Sequence, residues 1–287
     1  MRRFPKIGVL AALASALAMQ ACFVRHRMVA PPGKPPNREL LTATREDLIA
    51  RLHAASDPIH SFGLRADLSP SVGALYGGEL TDYATIRASI VFRRPADIRV
   101  VGLDPVVHSK TIFDMVSMGN SFKVYIPTKN AFYIGSNTAP PSSKNKLENL
   151  RPTAFLTSLI LAPPAASDRT MIGDNTDETK AQYILFMIRE NQGQLILERS
   201  VYFDRYTLTI VMQKTFDESG AVVSETRYSD WKGFDGIPFP STIVIRRPKD
   251  GYEMTMTIVS LRFNQPDVSA EQFVLEQPPG VKVVEIK

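Results

Sequence analysis

The sequence has 287 residues, of which 44% are hydrophobic, so it is long enough to bury the core of at least one domain. Its 34 basic and 29 acidic residues give a small net charge of +5, and no basic stripe interleaved with aromatic residues points to a nucleic-acid partner. A single cysteine excludes an internal disulfide framework.

The N-terminal segment predicts an export signal rather than a membrane span. Arg2, Arg3 and Lys6 precede an uncharged apolar run over residues 7–19. Such a run extends about 20 Å as a helix, which is shorter than the hydrocarbon core of a bilayer, about 30 Å. We therefore expect residues 1–21 to be a signal peptide that is removed. Its removal leaves 31 basic and 29 acidic residues, a net charge of +2.

The one cysteine, Cys22, follows this segment directly. The sequence MQAC over residues 19–22 resembles the lipobox of bacterial lipoproteins, in which the cysteine thiol is acylated and becomes the first residue. Two or three palmitate-type chains make a stable membrane anchor. Phe23 rather than Asp follows the cysteine, and by analogy with known sorting signals this favours the periplasmic face of the outer membrane. An ordinary signal peptide beside a chance cysteine is the alternative.

The next segment predicts a tether and then a folded domain. Residues 22–40 contain the proline-rich stretch APPGKPPN, a semi-rigid spacer, and residues 41–287 would form the domain. Thr44 and Asp47 have the spacing of a helix N-cap, a relative of the capping box. The helix that follows would end near Asp57, and its apolar face would carry Leu48, Ile49 and Leu52.

After this helix the apolar residues alternate with polar residues along several segments. Examples are the segments 62–68, 85–92, 195–198, 207–212 and 253–258. Period-two alternation is typical of antiparallel strands with one covered face, and short glycine- or asparagine-containing turns separate them. We predict a mainly β fold of about ten strands, rolled into a barrel or half-barrel.

A mid-chain segment breaks the β pattern. Residues 149–161 place Phe155, Leu156, Leu159 and Ile160 at helical spacing, with Pro152 suited to a first turn. The apolar stripe of this helix would lie at the open mouth of the curved sheet. The helix is either a permanent part of the core or a lid over a cavity, and the sequence leaves both open.

Three stretches resemble the family of the periplasmic lipoprotein carrier LolA and the outer-membrane receptor LolB. They are IVFRRPADIRVVGLDP from residue 90, NLRPTAFLTSLILAPP from residue 149 and YSDWKGFDGIPFPSTIVIRRPKDGYEMTMTIVSLRFN from residue 228. The resemblance covers residues 40–276. It implies an unclosed antiparallel β-barrel with a helical lid, and an apolar cavity that takes acyl chains. An uncharacterised lipoprotein family of the same fold is an alternative.

The resemblance also assigns residues to the site. The inward positions of the strands would line the cavity, and flexible methionines among them would adapt to varied ligands: Phe62, Leu64, Ile90, Phe92, Met212, Ile243, Ile245, Met254, Met256 and Ile258. The alternative for these residues is ordinary core packing. Val106 and Val107 stand where the receptor has a loop with an exposed leucine, and they would contact the membrane.

No enzyme motif accompanies these features. The four histidines lack the spacing of a metal site, and no nucleophile elbow occurs, so we expect no catalysis, metal or cofactor. The sequence predicts a membrane-anchored envelope lipoprotein that binds lipid acyl chains or lipoproteins and aids their localisation to the outer membrane, with a periplasmic carrier as a partner. The alternative is a structural or sensory lipoprotein that binds a protein partner. An enclosed cavity favours the first function, and a filled core with an exposed apolar groove favours the second.

Overall fold

A computed structural model describes residues 25–28, 39–73, 77–107, 110–138, 150–177 and 179–286. The predicted signal peptide, Cys22 and most of the tether lie outside these ranges, so their interpretation stays a prediction. In the described ranges the chain forms two α-helices, α1 (Arg45–Ser56) and α2 (Pro152–Leu159).

The short turns that the sequence indicated separate consecutive strands. The strands number 16 in the described residues, and they are β1 (Arg25–Met28), β2 (Ser61–Gly73), β3 (Glu79–Asp82), β4 (Ile86–Arg93), β5 (Asp97–Leu103), β6 (Thr111–Met118), β7 (Ser121–Ile126), β8 (Ala131–Ser136), β9 (Arg169–Thr176), β10 (Ala181–Asn191), β11 (Gln194–Asp204), β12 (Ile210–Phe216), β13 (Val222–Phe234), β14 (Ile237–Arg247), β15 (Tyr252–Phe263) and β16 (Lys282–Ile286).

All these strands belong to one sheet. The main order is β16-β8-β7-β6-β5-β4-β2-β15-β14-β13-β12-β11-β10-β9, with β3 paired to β2 and β1 paired to β3. The pair β2–β15 joins an N-terminal half (β2 to β8 with β16) to a C-terminal half (β9 to β15). The end strands β16 and β9 do not pair with each other in the described part of the chain, so the sheet is unclosed. The predicted mainly β, unclosed architecture with an N-terminal helix is confirmed.

One pair departs from the predicted antiparallel pattern. β16 runs parallel to β8, from Lys282 opposite Ala131 to Ile286 opposite Gly135. A parallel neighbour needs a long crossover connection, and residues 264–281 supply it after β15. This connection packs on the second cluster of buried residues, which contains Val116, Phe132, Phe273, Leu275 and Val281.

Helix α1 begins as the sequence predicted. Thr44 is its N-cap, and a capping box joins Thr44 and Asp47. Leu48 and Leu52 are fully buried, and the helix contacts β9 and β14. At the other end of α1, the Arg94 side chain donates to the carbonyl oxygens of Ser56 (2.7 Å) and Ile59 (2.6 Å).

Buried and more exposed residues alternate along the central strands. The buried apolar residues lie on one face of the sheet, which we call the inner face. Apolar side chains of β2, β4, β14 and β15 meet there in the main core cluster. Asn264 closes the β2–β15 seam at one end, because its side chain accepts from the His60 and Ser61 N–H groups and donates to Pro58 O. The opposite, outer face carries the polar residues of the same strands.

Candidate ligand-binding site

Helix α2 covers the inner face of the sheet. It contacts β5 and β6 in the N-terminal half and β14 in the C-terminal half. Phe155 and Leu159 are 0% and 2% exposed, whereas Leu156 and Ile160 are only partly buried. Pro152 occupies the first turn as expected, but the helix ends at Leu159, two residues before the predicted end. The apolar stripe therefore lies on the inner face, as the spacing indicated.

Two polar contacts attach the last turn of α2 to the C-terminal half. Ser158 Oγ lies 3.0 Å from Thr226 Oγ1 on β13. The Gln213 side-chain nitrogen on β12 donates to Thr157 O. Both contacts form away from bulk water, since Ser158, Gln213 and Thr226 are each 2% exposed or less.

Nine of the ten residues predicted for the cavity come together on the inner face of the sheet. They are at most 7% exposed, and all belong to the main core cluster: Phe62, Leu64, Ile90, Phe92, Ile243, Ile245, Met254, Met256 and Ile258. A side chain without accessible surface has no water-sized space beside it, so these residues are close-packed in this structure. The Phe113 ring also fills space on this face. A Cβ atom on Gly102 would lie only 2.4 Å from Phe113 Cε1, so the ring occupies the place that a side chain at Gly102 would need.

Met212 is the exception, and its predicted inward orientation is corrected here. It is partly buried and lies outside the core cluster, in a groove of the outer face with Tyr202 and Val244. The reason is a β-bulge, because Phe203 pairs with Ile210 whereas the preceding Tyr202 pairs with Met212. An extra residue in one strand reverses the alternation beyond it. Ile210 and Gln213 therefore face inward, and Met212 faces outward.

A pocket of about 550 Å³ opens at the C-terminal end of α2. Its walls come from α2 and the chain just after it, and from β10, β11 and β12. The lining includes Thr157, Ile160, Met187, Arg199, Gln213 and Phe216. The volume lies within the range of small-molecule sites in proteins.

Arg199 in this pocket is a residue that the sequence reasoning missed. Its guanidinium donates to Met187 Sδ from Nε (3.1 Å) and Nη2 (2.8 Å), and Nη2 also lies 3.4 Å from Pro163 O. Among the described residues no carboxylate lies within ion-pair distance of it. Burial lowers the pKa of Arg199. Alternation alone does not place this residue, because a register shift in β11 pairs Arg199 with the buried Met187 but Leu197 with Ile188 on the opposite face.

The predicted membrane-contact loop protrudes from the sheet. Val106 and Val107 are 85% and 52% exposed. Asp104 Oδ1 accepts from both of their N–H groups at 2.9 Å, and this holds the turn that presents the two side chains.

Two negative findings apply to the described residues alone. They contain no group of three or more side chains placed to hold a metal ion. Neither described helix has the length and apolar character needed to cross a bilayer.

Proteins of known structure share this architecture. No family model and no curated protein sequence matches the chain. Among solved structures, it is similar to a DUF1329 family protein from Desulfovibrio piger, with 16% identity and a TM-score of 0.53 over 80% of this chain and 95% of that one.

Two further structures match to a similar extent. A LolA superfamily protein from Nitrosomonas europaea has 11% identity and a TM-score of 0.51, over 82% of this chain and 99% of that one. A putative outer membrane lipoprotein-sorting protein domain from Vibrio parahaemolyticus has 13% identity and a TM-score of 0.50, over 80% and 97%. At these identities the likeness concerns the fold, and at that level it confirms the predicted resemblance to the LolA and LolB family.

Proposed function

We propose, starting from the fold that this chain shares with LolA superfamily proteins, that it is a non-enzymatic lipoprotein of the bacterial envelope that binds acyl chains of lipids or lipoproteins beneath α2. A lipid anchor at Cys22 would hold it on the periplasmic face of the outer membrane. The observation that carries the proposal is the position of α2, a short helix whose buried apolar face spans both halves of the sheet.

An acyl chain would replace α2 rather than enter an empty space. The side chains of Phe155 and Leu159 occupy the inner face, so the helix must move outward as the chain enters. A chain of about 15 methylenes has roughly 12 kcal/mol of transfer free energy at 0.8 kcal/mol per CH₂. Much of this is offset, because the chain leaves another apolar environment and α2 loses its own buried surface. Binding would therefore be modest and reversible, which suits a carrier or receptor.

The loop at Val106 and Val107 would bring the site to the membrane. Two exposed valines on a turn held by Asp104 can enter the interfacial region without unfolding any part of the sheet. Acyl chains or lipoproteins, delivered by a periplasmic carrier, could then pass between the site and the outer membrane.

A second candidate function rests on a different surface. The core beneath α2 is filled, and a groove of about 870 Å³ lies on the outer face, lined by Tyr202, Met212, Arg227 and Val244 among others. A filled core with a partly apolar groove favours a structural or sensory lipoprotein that binds a protein partner.

Locking α2 in place tests the first function against the second. The side-chain oxygens of Ser158 and Thr226 are 3.0 Å apart, so cysteines at both positions, in a Cys22→Ser background, are placed to form a disulfide between α2 and β13. We expect the oxidised double variant to lose binding of an acylated peptide and to regain it on reduction.

Each single cysteine variant is the matched control, and it should bind under both conditions. Equal binding by the oxidised and reduced double variants would show that α2 does not need to move. Absence of binding by the unlocked protein would refute acyl-chain binding and favour the groove on the outer face.

A further inference from the structure

We infer that the pocket at the C-terminal end of α2 is a headgroup subsite for an anionic phosphoglycerol lipid, in which Arg199 contacts the phosphate and Gln213 accepts a hydrogen bond from a glycerol hydroxyl. The inference rests on the proposed function, because the acyl chain of the same ligand would extend from this pocket beneath α2.

The hydrogen bonding of Arg199 is incomplete. A guanidinium has five N–H donors, and two of the three contacts of Arg199 go to the Met187 thioether, which is a weak acceptor. Its third contact, to Pro163 O, is long at 3.4 Å. A phosphate offers strong acceptors in the planar arrangement that a guanidinium matches.

Gln213 is 2% exposed, and its side-chain amide is only partly hydrogen-bonded. Its nitrogen must face Thr157 O, because a carbonyl oxygen can only accept. The other amide atom, Oε1, is buried in the described structure without a hydrogen-bond partner, although the residue lines the pocket. An unsatisfied buried acceptor is unfavourable by about 1–3 kcal/mol, and a ligand hydroxyl that reaches Oε1 once α2 has moved outward would relieve this.

The two carboxylates that line the pocket have other partners. Glu198 pairs with Arg189 at 3.1 Å on the rim. Asp168 accepts from the Ala165 N–H group at 2.8 Å. Neither forms an ion pair with Arg199, and Thr157 O in the last turn of α2 is already bonded to Gln213.

These two residues together select the ligand class. A fatty-acid carboxylate satisfies a guanidinium but offers Gln213 no donor at neutral pH. A phosphoglycerol headgroup supplies both an anion and hydroxyl donors. The partly apolar wall formed by Ile160, Met187 and Phe216 suits the first methylenes of the chain.

The test measures the affinity of the purified full-length protein for three probes below their micelle concentrations. They are palmitoyl lysophosphatidylglycerol, neutral monopalmitoylglycerol and glycerol phosphate without a chain. We expect the lysophospholipid to bind about tenfold more tightly than the neutral lipid, with a preference that falls as salt concentration rises.

Arg199→Met should abolish this preference and leave the affinity for monopalmitoylglycerol within about twofold, since methionine keeps the apolar stem but removes the charged hydrogen-bond donors. The exposed Arg262 on β15 provides the control variant, Arg262→Met, which should keep the preference. If Arg199→Met does not fold, Arg199→Lys serves instead, and it should reduce the preference because an ammonium cannot form the bidentate contact.

The outcomes separate the two proposals. If the wild-type protein binds neither lipid, the proposed function is wrong. If it binds both lipids equally and Arg199→Met changes nothing, acyl-chain binding stands and the headgroup subsite is wrong. If glycerol phosphate alone binds as tightly as the lysophospholipid, the site belongs to a soluble phosphoester, which overturns the inference.

Discussion

At the scale of single residues, the C-terminal half contains a buried carboxylate among several cations. The Glu225 side chain is 2% exposed, and its oxygens lie 2.8 Å from Arg227 Nε, 3.3 Å from Lys214 Nζ and 3.6 Å from Arg246 Nη1. Burial acts to raise the pKa of Glu225, but the hydrogen bonds and charges of Arg227 and Lys214 outweigh it, and the pKa is lowered. Glu225 therefore stabilises the fold in its ionised form.

Glu225→Gln should lower the free energy of unfolding by about 2–3 kcal/mol at pH 7, because three cations lose their shared carboxylate. A carboxylate with a lowered pKa contributes stability above its unfolded pKa, about 4.3, and this contribution is lost as pH falls through the folded value. The difference between variant and wild type should therefore shrink toward pH 3.

Urea denaturation at both pH values measures the effect of this substitution. Glu218→Gln in an exposed turn is the control and should change little at either pH. A difference for Glu225→Gln that is as large at pH 3 as at pH 7 would show that packing rather than charge is responsible.

The exposed valines allow a second prediction at this scale. Replacing Val106 and Val107 with glutamate should change the free energy of unfolding by no more than about 0.5 kcal/mol, because both side chains face water. Transfer of an acylated peptide to vesicles should nevertheless fall. Val259→Glu, at another exposed valine, is the control for transfer. A large loss of stability in the loop variant would identify the valines as packed residues and remove the basis for membrane contact.

At the scale of elements, α2 depends on its contacts with the sheet. A helix of eight residues is unstable by itself in water, so the burial of Phe155 and Leu159 supplies most of its stability. Elements that move for function tend to have low local stability. The local stability of α2 therefore distinguishes a lid, the proposed role, from a permanent core helix, and it can be measured.

Phe155→Ala and Phe62→Ala compare the two possibilities, because both phenylalanines are 0% exposed. Phe62→Ala, in the sheet, should lower the free energy of global unfolding by about 3–5 kcal/mol. For Phe155→Ala the loss is limited to the docking free energy of α2. It should therefore be smaller, with hydrogen-exchange protection lost in α2 but kept in β2 and β15. Equal global losses for the two variants would identify α2 as permanent core.

At the scale of the whole molecule, the N-terminal and C-terminal halves form one continuous sheet through the β2–β15 seam. Aromatic rings from both halves meet beside this seam, with Phe62 and Phe92 centroids 5.0 Å apart and Phe62 and Phe263 centroids 6.4 Å apart. The proposed entry of a ligand beneath α2 would therefore not require the halves to separate. The proposed anchor would keep this whole body at the membrane.

The anchor is tested by Cys22→Ser. Without the thiol no acyl chain can be attached, so the processed variant should appear in the soluble fraction after cell lysis, whereas the wild-type protein should remain with membranes after a high-salt wash. Fractionation followed by mass spectrometry of the N-terminus measures both properties. A processed variant that still sediments with membranes would contradict the lipid anchor.

The candidate site could be predicted only in part. The inward position of Phe155 followed from helical spacing, and the exposure of Val106 agreed with the resemblance to the receptor loop. Arg199 and Gln213 could not be paired in advance. They lie on different strands, and their common feature, incomplete hydrogen bonding, depends on what α2 and the chain just after it place opposite them.

The sequence by itself determined the features that depend on near neighbours along the chain. Thr44 and Asp47 start α1 because a capping box needs only the local backbone, and alternation determines which face of β2 and β15 is apolar. Only the tertiary structure decided that the interior is filled, that β16 runs parallel to β8, and that Met212 faces outward. These outcomes depend on pairing and packing between distant segments, and a single bulged residue reverses a pattern that appears uninterrupted in the sequence.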